Sequence, residues 1–266
     1  MDNAAAIHNT KDGPTTSDIT PKGPGLTTGR WSLGPRMTNR RLRIVPWQGD
    51  RYVALIGPVK SGRPPNSDEV RHGLGELTRR GVYRAVTPAM TPFEAEPFFQ
   101  AGFRLFERLH LLSCPVVVGA GRQIKTPARL YAGRPWHDRA VLAVDGRAFQ
   151  GFWRFDHLAL GEAKTATPAR RFRVAKVGGR IVGYAVTGRA GHRGYLQRLA
   201  VDPSVQGQKI GKQLVYDSFD WLARRGADLS LVNTQETNER ALGLYESIGY
   251  RRQQEGLVVL RWNGDT

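Results

Sequence analysis

One segment constrains the fold of this chain more than any other: residues 195–212, reading YLQRLAVDPSVQGQKIGK. A β-rich run over 195–201 stops at Asp202-Pro203, and a glycine-bearing loop follows. Ile210 then opens an amphipathic helix that places Ile210, Leu214, Phe219 and Leu222 on its apolar side, runs to Arg225 and closes at Gly226. A strand, a sharp turn and a helix N-terminus in that order belong to an α/β protein. The first N–H groups of such a helix lack intrahelical partners and sit at the positive end of its dipole. Gly207 and Gly211 take Cβ atoms out of the approach, and Lys209 and Lys212 add charge. Gln206, Gly207, Gln208, Lys209, Ile210, Gly211 and Lys212 therefore form a candidate phosphate cradle. An ordinary β–turn–α connection contains the same parts, so the loop alone does not decide between the two.

The rest of the chain divides into four parts. Residues 1–29, rich in Thr, Gly and Pro, read as a disordered tail. Residues 30–118 form a first half, with β-runs at 42–45, 52–56, 82–86 and 103–112 and helices at 67–80 and 91–102. A Gly/Pro/Arg-rich linker follows at 119–135. Residues 136–264 form the second half. There, 139–166 reads as helical with a break near Gly146, 172–177 and 181–187 form a hairpin at Gly178-Gly179, and 229–232 is a strand. A helix at 238–248 and a final hairpin over 250–262 around Gly256 complete it. The two halves repeat each other. Arg79-Arg80-Gly81, strand, short helix and Gly102-Phe103 parallel Arg224-Arg225-Gly226, strand, helix and Gly249-Tyr250. This alignment sets Phe98 opposite Tyr245.

Composition narrows the partners. Forty Lys and Arg against 23 Asp and Glu give a formal charge of +17, which favours phosphate-bearing ligands. The excess is spread through the folded part with no basic arm, so nucleic acid is possible but not favoured. Cys114 is the single cysteine, which excludes a disulfide framework and a Cys-rich zinc module. No metal site is expected. The sequence shows no apolar run of membrane-spanning length and no signal-peptide pattern, so a cytoplasmic protein without membrane contact is expected.

Residues 195–250 resemble the GNAT superfamily of N-acetyltransferases. Leu199, Val201 and Pro203 match the end of the family's pyrophosphate-side strand; Gln206, Gly207 and Gly211 match its loop; Leu214 matches the first core residue of the helix. Lys209 departs, standing where the family usually has Gly. Asn238, Ala241, Tyr245 and Gly249-Tyr250 fill the downstream pattern Asn-x-x-Ala-x-x-x-Tyr-x-x-x-Gly-Phe/Tyr. The wider resemblance covers about 139–262. It implies an α/β (α+β) acyl-CoA N-acyltransferase fold, a mixed twisted central sheet flanked by helices. The repeat then implies a tandem protein whose first copy, about 40–112, is partial. Pro64 and Pro65 remove backbone donors where the family uses them, and Phe98 replaces the phenol.

The resemblance also implies direct transfer of acetyl from acetyl-CoA to an amine. The backbone of Leu199, Ala200 and Val201 would pair with the pantetheine arm, Gln206 to Lys212 would hold the pyrophosphate, and Asn238 would cap its helix and reach the cosubstrate. Tyr245 would be the catalytic acid. The family's strand glutamate is replaced by Gln197, so the general base stays open among a water on Gln197, His192 and Glu236. Phe149, Phe152, Trp153 and Phe155 read mostly as core, with one of them a candidate to line the site. The acceptor, whether a small molecule, peptide or protein, and the oligomeric state are not written in the sequence. A second reading is a degenerate member of the fold used as a basic binding module for nucleic acid or ribosomes.

Overall fold

The computed structural model describes residues 37–38, 41–48, 50–59, 63–116, 118–119, 124–149 and 151–264; the tail assigned to 1–29 lies outside these. The first half consists of β1 (Met37–Thr38), β2 (Leu42–Trp47), β3 (Asp50–Pro58), α1 (Ser67–Arg79), β4 (Arg84–Val86), α2 (Pro92–Gln100) and β5 (Arg104–Pro115). The second consists of β6 (Arg129–Ala132), α3 (Asp138–Ala148), α4 (His157–Thr165), β7 (Ala169–Val177), β8 (Arg180–Ala190), β9 (Arg193–Val201), α5 (Ile210–Arg224), β10 (Leu229–Gln235), α6 (Glu239–Glu246), β11 (Arg251–Arg252) and β12 (Leu257–Asn263).

The repeated landmarks are repeats of backbone geometry. Gly81 and Gly226 close α1 and α5 at φ of 77° and 72°, and Gly102 and Gly249 follow α2 and α6 at 97° and 107°. Only glycine enters this region without strain. The N–H groups of Val82 and Ala227 donate back to Leu77 and Leu222, and those of Phe103 and Tyr250 to Phe98 and Tyr245. Each is the helix-ending bond of a left-handed C-terminal cap. Even the rings correspond. Phe98 meets Phe103 edge-on at 5.4 Å, and Tyr245 meets Tyr250 at 5.5 Å.

The strands form one sheet in the order β1-β2-β3-β4-β12-β5-β10-β9-β8-β7-β6. The halves exchange their last strands. β5 of the first half pairs antiparallel with β10 of the second, while β12 pairs antiparallel with β4, and β5 and β12 lie side by side at the centre. Each core therefore contains residues of the other half. Val258 and Leu260 of β12 are buried with Leu74, Leu77 and Phe98, and Leu112 and Cys114 of β5 are buried with Leu214, Phe219 and Leu222.

Three expectations change. β11 and β12 both pair with β5, in line along one edge, so 250–262 is an interrupted strand and not a hairpin. A Cβ on Gly256 would stand 2.4 Å from the Leu109 carbonyl, so this glycine serves close approach to β5 and no reversal. The stretch 119–135 contains a strand: β6 joins the sheet edge against β7. The break in 139–166 also moves. Gly146 stays inside α3, and the interruption spans 149–156, where Asp145 accepts the Phe155 N–H at 2.7 Å and Asp156 caps α4. Among the described residues no helix is long and apolar enough to cross a membrane.

Candidate active site

The site begins where two parallel strands part. β9 and β10 pair only at Arg193, Gly194 and Tyr195 against Leu229, Ser230 and Leu231. Beyond that they diverge. Gln197 is the extra residue of a β-bulge, since Val186 faces Arg198 and Thr187 faces Leu196. The Asp202 N–H donates to the Val182 carbonyl at 2.8 Å. Antiparallel alternation then turns the backbone of Ala200 and Arg198 toward β8 and that of Leu199 and Val201 into the gap. The Gln206 side chain accordingly donates to the Val201 carbonyl at 3.0 Å. Of the three strand residues expected to pair with the pantetheine arm, Leu199 turns its backbone N–H and carbonyl into the gap and Val201 its N–H, the Val201 carbonyl being taken by Gln206. Ala200 lines the gap with its backbone engaged by β8.

At the end of the gap stands the N-terminus of α5. Its N-cap, Lys209, makes no side-chain capping bond, so among the described residues no side chain caps the first-turn N–H groups. Lys209 itself is left-handed, at φ 62° and ψ 11°. That is the physical reason for glycine in the family pattern. Replacing Lys209 by Gly should raise folding stability by about 1 kcal/mol through lost strain, offset in part by chain entropy. It should also weaken the binding of a phosphate-bearing ligand at this helix N-terminus several-fold, because a positive charge leaves. Urea unfolding and calorimetric titration check the two halves of this prediction. The matching helix of the first half differs in kind. Asn66 accepts the Glu69 N–H at 2.8 Å, and the Glu69 carboxylate accepts the Asn66 N–H at 2.9 Å. A side chain thus caps the first turn of α1, and a carboxylate stands where a phosphate would have to sit.

Two adjoining cavities follow. The larger, about 640 Å³, is lined by Leu199, Ala200, Val201, Gln206, Gly207, Lys209, Ile210, Gly211, Lys212, Asn238 and Tyr245, with Arg240 added by the structure. Gln208 is not on its wall and is exposed on the loop. A Cβ on Gly211 would lie 3.2 Å from Leu244, so this glycine keeps α5 close to α6 and the cavity mouth open. Asn238 caps α6, accepting the Ala241 N–H at 3.1 Å.

The smaller cavity, about 250 Å³, shares Phe149, Leu199, Asn238, Ala241 and Tyr245 with the larger and adds Trp47, Gln48, Leu109, Phe152, Trp153, Phe155 and Gln197. All four aromatic residues of 149–155 line it. Trp47, from the first half, stacks on Phe152 at 4.6 Å. Tyr245 stands between the cavities, 6% exposed, with no hydrogen-bond partner among the described residues. Burial pushes its phenol above the ordinary tyrosine range, with the Arg198 charge acting against it.

The candidate bases are separated. His192 is exposed at the paired end of β9, away from the gap, and Glu236 is exposed and off both walls. Gln197 lines the smaller cavity. Two further groups escape the sequence. Arg198 is buried between the rings of Phe149 and Phe155, at 3.4 and 3.9 Å, and forms a double ion pair with Asp145. Glu107, on the exchanged strand β5, accepts the Trp153 indole N–H at 2.7 Å and also the Gln235 amide. Desolvation lifts its carboxyl above the usual range. An alternating β pattern with one acid on the inward side was the available signal for Glu107; for Asp145, an acid on a helix otherwise buried at Val141 and Val144.

Known proteins match this geometry. The model of the acetyltransferase (GNAT) family matches residues 139–250. A mycothiol acetyltransferase of Thermobispora bispora is 27% identical over 233 residues, 82% of this chain and 69% of that protein. Another, of Thermomonospora curvata, is 34% identical over 122 residues, 43% of this chain and 41% of that protein. A GCN5-related N-acetyltransferase of Sphaerobacter thermophilus has a TM-score of 0.59 at 17% identity, covering 84% of this chain and 77% of its own. A tandem GNAT protein from the clavulanic acid biosynthesis pathway has a TM-score of 0.61 at 13% identity, covering 85% and 79%. At such identities the structures speak to the fold, and they extend it over both halves. Residues 139–250 thus match the acetyltransferase (GNAT) family, whose cosubstrate is acetyl-CoA, and the structural likeness extends that fold over both halves in tandem.

Proposed function

We propose that the protein acetylates the amine of a small molecule, with acetyl-CoA in the larger cavity and the acceptor in the smaller. The observation that carries this reading is the gap between β9 and β10, which joins the two cavities beside Tyr245. The uncapped first turn of α5, with Lys209, Lys212 and Arg240, suits the pyrophosphate. The gap-facing backbone of Leu199 and Val201 suits the pantetheine arm, and their N–H groups are placed to steady the oxyanion of the tetrahedral intermediate. Tyr245 keeps its proton at neutral pH and gives it to the departing thiolate. The size of the acceptor cavity, with Trp47 and Gln48 on its wall, favours a compact acceptor over a folded protein. The mycothiol acetyltransferases among its relatives point the same way.

Acetyl-CoA should bind once per chain, because the first half offers α1 already capped. Gly211→Trp should weaken that binding at least tenfold and lower the unfolding midpoint, since the indole would fill the cavity mouth and its Cβ would crowd Leu244 between α5 and α6. Isothermal calorimetry reads both stoichiometry and affinity. An unsubstituted protein that ignores acetyl-CoA but binds RNA with steep salt dependence would instead be a basic binding module.

A further inference from the structure

We propose that Arg198 sets the acceptor class: the N–H groups of its Nη1 hold an acyl oxygen, carbonyl or carboxylate, on the carbon that bears the acceptor amine. The acceptor is then an α-aminoacyl compound. The inference rests on the acyl-transfer reading above and deepens it at the same site.

The Arg198 side chain is only 9% exposed. A guanidinium has five N–H donors, and three of these are used. Nε and Nη2 donate to the two Asp145 oxygens at 2.8 and 2.9 Å, and Nη2 donates again to the Trp153 carbonyl at 2.6 Å. Phe149 and Phe155 stack on the group, so a ligand can reach it only at an edge. The edge that remains is Nη1, whose two N–H groups meet no acceptor among the described residues. Unlike the side-chain oxygen of Gln197, Nη1 is not sealed from the surface. It opens on the smaller cavity, whose wall Arg198 helps to form.

That wall has a plain chemistry. Among the described residues it holds no acid and no other cation, and its amides are Gln48, Gln197, Asn233, Gln235 and Asn238. Arg198 is the one charged side chain there. A cationic fork held in place by stacking matches the in-plane lone pairs of a carbonyl or carboxylate. The position also suits the reaction. Leu199, the next residue, turns its backbone into the gap, and the Arg198 charge acts on the Tyr245 phenol.

A carbonyl beside the amine answers the missing base as well. Attack needs a neutral amine, and no carboxylate or imidazole lines the smaller cavity among the described residues. An α-amino group next to a carbonyl titrates at about 7.7–8.0, against about 10.4 for a lysine-type amine. A sizeable share of it is therefore neutral at physiological pH. The withdrawing group that causes this is the group Arg198 holds.

The test titrates three acetylated products calorimetrically into the coenzyme A-loaded protein: N-acetylphenylalaninamide, N-acetylphenylalanine and N-acetyl-2-phenylethylamine. None has a titrating amine, so basicity plays no part, and the aromatic wall of Trp47 and Phe152 suits the shared ring. At least one of the first two should bind about tenfold or more tighter than the third, the gain from a hydrogen bond to a charged donor. The tighter of the two tells carbonyl from carboxylate. Two variants should each bring that preference within about threefold, with coenzyme A affinity within about twofold. Arg198→Lys keeps a cation for Asp145, and Asp145→Asn joined to Arg198→Gln removes both charges together, which guards against an unpaired buried charge. Equal binding of all three compounds, no binding of any, or a preference that survives the variants would each overturn the proposal. If coenzyme A binds in those cases, only the role of Arg198 falls. Failure of coenzyme A to bind the unsubstituted protein strikes the acyl-transfer reading itself.

Discussion

Tyr245→Phe is expected to lower kcat by about 100-fold or more, with the affinity for acetyl-CoA within twofold, as befits a lost general acid. The asymmetry follows from position. Tyr245 stands where the two cavities meet, and its ring packs on Tyr250, so Phe keeps the packing and removes only the hydroxyl. That hydroxyl has no partner among the described residues, so its loss leaves no orphaned group behind. Steady-state kinetics with an amine acceptor and calorimetry with acetyl-CoA separate the two quantities. An unchanged kcat removes Tyr245 from proton transfer. A matching fall in affinity makes it a binding residue.

Asp145→Ala is expected to cost about 3–5 kcal/mol of folding stability, the range for breaking a buried ion pair by removing one partner. Asp145 is fully buried and accepts from Arg198 Nε at 2.8 Å, from a terminal Arg198 nitrogen at 2.9 Å, from the Tyr184 hydroxyl and from the Phe155 N–H. Its removal strands a guanidinium between two rings and frees the segment 149–155 that walls the acceptor cavity. Urea unfolding measures the loss. A change below 1 kcal/mol would mean that water enters and solvates Arg198.

Much of the site is legible because it is local. Strand 195–201, the glycine loop, α5 and α6 follow one another in sequence. Turn formers, capping residues and helical spacing mark their ends, and ten of the eleven residues assigned to acetyl-CoA line the larger cavity. What escaped is long-range. Nothing around 104–115 says that this strand leaves its own half, and nothing around Gly256 says that the chain runs straight on against β5. Pairing between distant strands is decided by the whole sheet, and a short apolar run carries no address. Glu107 was hidden for the same reason, since its meaning depends on Trp153 and Gln235, which only the exchange brings to it.

The strand exchange also fixes a timetable. Val258 and Leu260, on the last strand of the second half, complete the core around Leu74, Leu77 and Phe98. During synthesis the first half cannot close its core until β12 has emerged. Meanwhile β5 waits with both edges unpaired for β10 and β12, both made later. Such late, distant pairings slow folding and leave sheet edges open to association with other chains. Neither half is a self-sufficient piece: cut between them, each loses a central strand to the other.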